Sequence, residues 1–290
     1  MAKRAASPSP AAADAVVAAA RAGEPDRYLA ALLAPPHARA GLLALAAFAA
    51  EIARVPYAAG SEPAAGEIRL QWWRDALQAA EEHAHSGHPI ADALCAAVRH
   101  HALPPALLLE PVEARSLELA GESLADDAAL QTYLWKSEGA LFASAGRILA
   151  PGDVGAVEAA AAASGQAYGL ARLLLRLSGT LVRGRLLLPQ SRIEAAGAAR
   201  SELLSGRAGP GVASLLAGLH DEVRRSLVTS RQHVANLPRE ARAAFLPLAL
   251  VRSYLRALER RGRDVLRESV EIAPLTRVVR IAAAHWSGRI

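Results

Sequence analysis

At 290 residues the chain is long enough for one large core or two smaller domains. Hydrophobic residues make up 52%, mostly alanine and leucine, and aromatics only 4%; with no regular β-alternation, this composition favours helices throughout. The formal charge of +5 is set by arginine, and no zinc-finger spacing or aromatic-rich RNA-binding segment accompanies it, so nucleic acid is excluded as a partner.

Cys95 is the single cysteine, which excludes an intrachain disulfide and fits a reducing compartment, with the thiol as a small buried apolar side chain. Residues 1–13, rich in Pro, Ser and Ala, predict a disordered tail, and Asp14 and the prolines spoil the apolar region of a secretion signal. No apolar run reaches the ~18–20 uncharged residues of a membrane span. The expectation is a cytoplasmic, single-domain chain over 14–290, either free in solution or peripheral to the inner face of the membrane.

In chain order, a short helix is expected over Asp14–Arg21. Asp26 then reads as an N-cap, and Pro35-Pro36 ends the helix it opens. The next helix runs from His37 to Val55, where Pro56 stops it. Gly66–Glu82 places Leu70, Trp73 and Leu77 on one face and Ile68 and Trp72 on another, so one tryptophan is core and its neighbour fills a groove. His83, His85 and His88 sit beside two glutamates, but without a second ligand cluster they read as a solvated helix end and loop. Helices follow over Ile90–His101, Pro105–Gly121, Asp126–Leu149 and Asp153–Val182. Beyond a short helix at Ser191–Ala196 and a Gly/Ser-rich loop lie Val212–Ala235 and Pro238–Gly262. The latter carries a cationic row of Arg252, Arg256, Arg260 and Arg263. The last helix, Pro274–Ser287, mixes apolar residues with Arg277 and Arg280; it reads as a closing helix with a solvated edge, or as one lying on an anionic membrane surface.

Gly165–Gln190, GQAYGLARLLLRLSGTLVRGRLLLPQ, is the most informative stretch. Gly165, Ala167 and Gly169 leave one side of a helix open for close packing, and Leu170, Leu173, Leu174 and Leu177 form its apolar stripe. No acid lies in this stretch, whereas Arg172, Arg176, Arg183 and Arg185 do. Such arginines either grip a phosphate directly or pair with carboxylates on facing helices.

Gly184, Arg185, Leu188 and Pro189 match the tail of the second signature of the squalene/phytoene synthase family, which this chain resembles from about Asp26 to Trp286. Counting back, the signature's two aspartates fall on Arg176 and Thr180. In LALAAFAAEIARVPYAAG, Phe48 and Glu51 fit the first signature, and its aspartates fall on Ala53 and Tyr57. YLWKSEGALF, with Tyr133, is similar to the family's Tyr-rich cavity helix, and GEIRLQWWRDAL resembles a non-catalytic branch that includes a mitochondrial complex I assembly factor.

The resemblance implies an all-α, isoprenoid-synthase-like helical bundle around a central cavity. Family enzymes join prenyl diphosphates with magnesium held by the four aspartates. With Ala53, Tyr57, Arg176 and Thr180 at those places, the expectation is no catalytic residue, no metal, no cofactor, and a helper role toward respiratory-complex subunits or assembly proteins. Two alternatives stay open. One is an active head-to-head prenyltransferase using magnesium and displaced acids such as Glu51. The other is a module for an anionic lipid or prenyl phosphate, with Arg172, Arg176, Arg183, Arg185, Glu51, Tyr133 and Tyr168 as its ligand-binding residues.

Overall fold

The computed structural model describes residues 10–290 apart from positions 61, 83, 84, 122, 261 and 263 and the side chain at 81. Expectations placed on His83 and Arg263, and on residues 1–9 of the tail, lie outside the described residues. Residues 10–13 are not tail: they open α1 (Pro10–Gly23), whose Val16 and Ala20 are buried. A short connection at Glu24 leads into α2 (Pro25–Leu33), with proline in the first turn, where its missing N–H costs nothing.

α3 (Pro36–Ala58) is the central helix and packs on α1 and α2. Pro56 lies inside its last turn rather than stopping it. Fixed φ is compatible with a helix, and only one backbone bond is lost so close to the end. α4 (Pro63–Gln78) ends in a 3₁₀ turn at Ala79–Glu82. Leu70, Trp73 and Leu77 are buried, while Ile68 is 72% and Trp72 39% exposed, so Trp73 is the core member of the pair. Its ring stands edge-on to Phe48 at 5.1 Å.

α5 (Pro89–His101) is capped by His88, whose Nδ1 accepts the Ala91 N–H at 3.4 Å. α6 (Pro105–Ala120) is followed by Gly121 at φ 69°, the left-handed position that ends many helices.

α7 (Asp127–Leu134) and α8 (Ala140–Leu149) form one rod interrupted by a π-helical turn at Trp135–Gly139. A second π turn, Gly165–Gly169, joins α9 (Val154–Ser164) to α10 (Leu170–Leu175). The two π turns pack against each other. A Cβ on Gly165 would sit 2.8 Å from the backbone N and Cα of Gly139, so the chains cross at glycine-only distance.

Arg176 interrupts the expected Asp153–Val182 helix before α11 (Leu177–Leu181), which ends within one residue of the expected bound. Leu186–Leu188 return beneath it, all buried. After α12 (Gln190–Ala195), the expected loop contains α13 (Arg200–Leu204). α14 (Pro210–Ala235) packs on α9 and the second π turn. The expected helix over Pro238–Gly262 is instead a 3₁₀ segment, Ala241–Leu250, followed by α15 (Val251–Leu258). Pro247 lies in the 3₁₀ segment, and with α15 ending at Leu258 the cationic row does not continue along a helix to Arg260. α16 (Pro274–Ser287) closes the fold against the 3₁₀ segment and α2. Among the described residues there is no strand, and no helix is long and apolar enough to cross a membrane. The fold is the expected all-α bundle. Phe142 stacks on Phe245 and meets Tyr168 edge-on, both at 5.5 Å, so aromatic rings fill its centre.

Candidate functional site

The Glu24-Pro-Asp-Arg27 corner between α1 and α2 carries three buried charges into the middle of the bundle. Arg27 donates to Glu24 at 2.8 Å and to Glu138, on the first π turn, at 2.7 Å. Its guanidinium lies over the rings of Phe142 and Tyr168, 5.2 and 5.4 Å from their centroids. Arg172 on α10 grips Glu24 with both terminal nitrogens, each at 2.7 Å, and lies 3.5 Å from Glu138. Arg176 reaches Glu24 at 4.0 Å.

Asp26 was expected as an N-cap, but Glu24 holds that position and Asp26 turns inward. It accepts from Tyr168 at 2.7 Å, from the Tyr254 hydroxyl, and from Arg277 of α16 at 3.1 Å. A smaller group completes the interior: Arg115 pairs with Glu118, which also accepts from Tyr133 at 2.7 Å.

Burial penalises the charge on Glu24 and Glu138, yet Arg172 and Arg27 more than reverse that penalty and hold both acids below the usual carboxylate range. Burial, with neighbouring acids, pushes the Tyr168 and Tyr254 hydroxyls well up, so both stay protonated and donate to Asp26. A depressed folded-state pKa contributes stability that is present above the unfolded value and lost as pH falls toward the folded one. The denaturant midpoint should therefore drop as pH is lowered below about 5, and Glu24→Gln should flatten that slope while lowering the midpoint at neutral pH. An unchanged slope would show that Glu24 is not held ionised by its arginines.

Three of the four positions read as family aspartates do meet. Tyr57, Arg176 and Thr180 line one narrow cleft, about 20 Å³, with Arg115, Glu118, Tyr133, Glu138 and Arg172. Ala53, one turn before Tyr57 on α3, is half-buried and adds no polar atom. Outside this cleft a half-open hollow of about 410 Å³ is lined by Glu24, Asp26, Arg172, Arg176, Tyr254 and Arg277, among others. Its acids and arginines are largely paired with each other.

Of the other expected ligand residues, Tyr133 lines this cleft with Arg172 and Arg176, and the rest lie outside its lining. Arg185 donates to the Pro56 carbonyl at 2.9 Å and so ties the signature tail to the end of α3. Arg183 donates to the Gly179 carbonyl and lies over the Tyr57 ring at 4.8 Å. Tyr133 and Tyr168 are buried on their acids rather than open to a ligand. Glu51 pairs with Arg54 at 2.6 Å and lines a separate surface groove with Trp72, Trp73 and His88, so it does not converge on Arg176. Among the described residues no three of His, Cys, Asp and Glu are placed to hold a metal ion. Of the acids that organise the site, Glu24 and Glu138 were not singled out from sequence, and Asp26 was read only as a helix cap. Only the absence of acid beside Arg172 and Arg176 hinted that carboxylates must arrive from elsewhere.

Comparison with known proteins agrees with this architecture. Residues 20–277 match the model of the family described as squalene/phytoene synthase. NADH dehydrogenase (ubiquinone) complex I, assembly factor 6 of Rattus norvegicus is 26% identical over 246 residues, covering 85% of this chain and 73% of that protein. Phytoene synthase of Thermus thermophilus is 30% identical over 270 residues, covering 90% and 88%. In structure, a ligand-bound dehydrosqualene synthase superposes with a TM-score of 0.79 at 15% identity, covering 96% of each chain. Squalene synthase HpnC of Alicyclobacillus acidocaldarius gives 0.72 at 20% identity, covering 87% of this chain and 94% of that one. With the family model spanning nearly all the described helices, this chain belongs to the squalene/phytoene synthase family.

Proposed function

We propose that this protein has given up prenyl transfer and works in the cytoplasm as a helper in assembling a respiratory NADH dehydrogenase, acting through its surface. The observation that carries the reading is the cleft between Tyr57, Arg176 and Thr180. Where the family resemblance calls for magnesium, the neighbouring acids Glu138 and Glu118 are already engaged by arginines, and the guanidiniums of Arg172 and Arg176 stand among them. A divalent cation needs several uncompensated oxygen ligands, and this donor set does not fit one. The same pairing counts against a phosphate-binding module: Arg172, the arginine best placed to grip a phosphate, is bidentate on Glu24. The similarity to complex I assembly factor 6 supplies the direction of the helper role.

The runner-up is a working prenyltransferase, favoured by the 30% identity to a phytoene synthase over 90% of the chain. A deletion strain separates the two. The helper reading expects reduced respiratory NADH oxidation and recovery of respiratory subunits with the intact purified protein. Unchanged respiration together with missing isoprenoid products would overturn it in favour of the transferase.

A further inference from the structure

α16 presents an apolar face that nothing in the fold covers. Leu275 is 72%, Val278 46%, Val279 55% and Trp286 75% exposed. With Ala282, these positions fall within an arc of about 100° at 3.6 residues per turn, along a helix of about 21 Å. The opposite side holds the helix to the body, through buried Ile281 and Ala284 and through Arg277 on Asp26. The exposed stripe is therefore fixed outward by the buried network and not by chance orientation.

Along α16 and the residues that follow it, the formal charge has one sign. From Ile272 to Ile290 there is no Asp or Glu, while Arg280 and Arg289 are exposed on or just beyond the helix. Beside the C-terminal end of α16 runs an apolar groove of about 370 Å³, between Ala284 and Ile290 on one side and Leu33, Pro36 and Leu246 on the other. Exposed Arg239 stands at this groove with Arg242, and Glu240 is the acid that lines it.

We propose that α16 docks this protein on an anionic lipid bilayer, with Leu275, Val279 and Trp286 in the acyl–headgroup boundary and Arg280 and Arg289 on the lipid phosphates. An apolar stripe ended by a tryptophan, on a helix that carries arginine and no acid, suits that boundary, where apolar burial and attraction to anionic headgroups add. The adjoining groove gives an acyl chain somewhere to lie. The proposal does not rest on the helper reading, since a transferase with the same surface would dock in the same way.

The test is flotation of the intact protein with vesicles of phosphatidylcholine alone and of phosphatidylcholine mixed with phosphatidylglycerol. The protein should float with the mixed vesicles, weakly or not at all with phosphatidylcholine alone, and less as salt is raised. The triple variant L275D/V279D/W286D should lose at least about tenfold in partitioning, as should R280E/R289E at low salt, each with an unchanged circular dichroism spectrum. In the wild type, emission should shift to the blue on mixed vesicles, and Trp286→Phe should remove that shift. Absence of wild-type flotation, or equal flotation of wild type and triple variant, would overturn the proposal. So would a concentration-dependent dimer that the triple variant abolishes while vesicles bind neither form, because the stripe would then face a second copy of the chain.

Discussion

Arg27→Met should destabilise the protein by about 3–5 kcal/mol, because it strips a buried guanidinium from two buried acids without replacing the charge. Methionine keeps much of the apolar stem against Phe142 and Tyr168, so lost packing is not the main cause. Glu24 retains its bidentate partner Arg172, whereas Glu138 keeps only a 3.5 Å approach to Arg172. Adding Glu138→Gln should recover part of the loss, since the uncompensated charge disappears with the carboxylate. A largely exposed arginine gives the contrast: removing Arg224, which bridges Asp221 on α14 and Glu259 at the end of α15, should cost only about 1 kcal/mol, because solvent screens both pairs. Denaturant midpoints at constant m measure all three. A loss for Arg27→Met no larger than that for Arg224 would mean that the interior network does not hold the fold.

Gly165→Ala should also destabilise, against the ordinary trend. In an exposed helix interior, glycine to alanine gains up to about 1 kcal/mol, and Gly218 on α14, with nothing within 4 Å of its would-be Cβ, should follow that rule. At Gly165 the added methyl meets the backbone N and Cα of Gly139 at 2.8 Å and the Leu134 carbonyl oxygen at 3.1 Å. Backbone cannot rotate away as a side chain can, so the two π turns must separate, at about 1–3 kcal/mol or more. That separation would also move Glu138 from Arg27, because Glu138 sits on the first π turn beside the crossing. Opposite signs at the two glycines, read from thermal midpoints, would confirm the crossing; a gain at both would show that it is looser than described.

Helices written by local periodicity were legible before any coordinates. α5, α6, α14 and α16 begin and end within about two residues of their sequence-based bounds, because proline at the first turn of all four, and glycine after the last turn of α6 and α16, are local signals. The buried stripe of Leu170, Leu173, Leu174 and Leu177 was legible for the same reason. Pro56 misled because a proline in a last turn looks in sequence like a stop, while its cost there is a single bond. The π turns left no periodic trace beyond the small residues Gly139, Gly165 and Gly169.

The interior network was illegible for a different reason. Its bonds join residues 111, 148, 228 and 251 positions apart, and no local pattern encodes such a partner. Asp26 illustrates this: an acid beside proline before an apolar run has the wording of a cap, and only the arrival of Tyr168, Tyr254 and Arg277 makes it a buried acceptor. Glu51 fails in the opposite sense. It fits the resemblance by position, yet its place on α3 turns it toward Trp72 and Trp73, away from the cleft.

The central claim is that arginine–carboxylate pairs now occupy the place from which a prenyl diphosphate would be ionised. Incubating the purified protein with farnesyl or geranylgeranyl diphosphate and magnesium, and measuring released diphosphate and lipid products, tests it most directly. The account predicts neither diphosphate release above the protein-free control nor any joined product. Release of diphosphate with formation of a C30 or C40 product would contradict it.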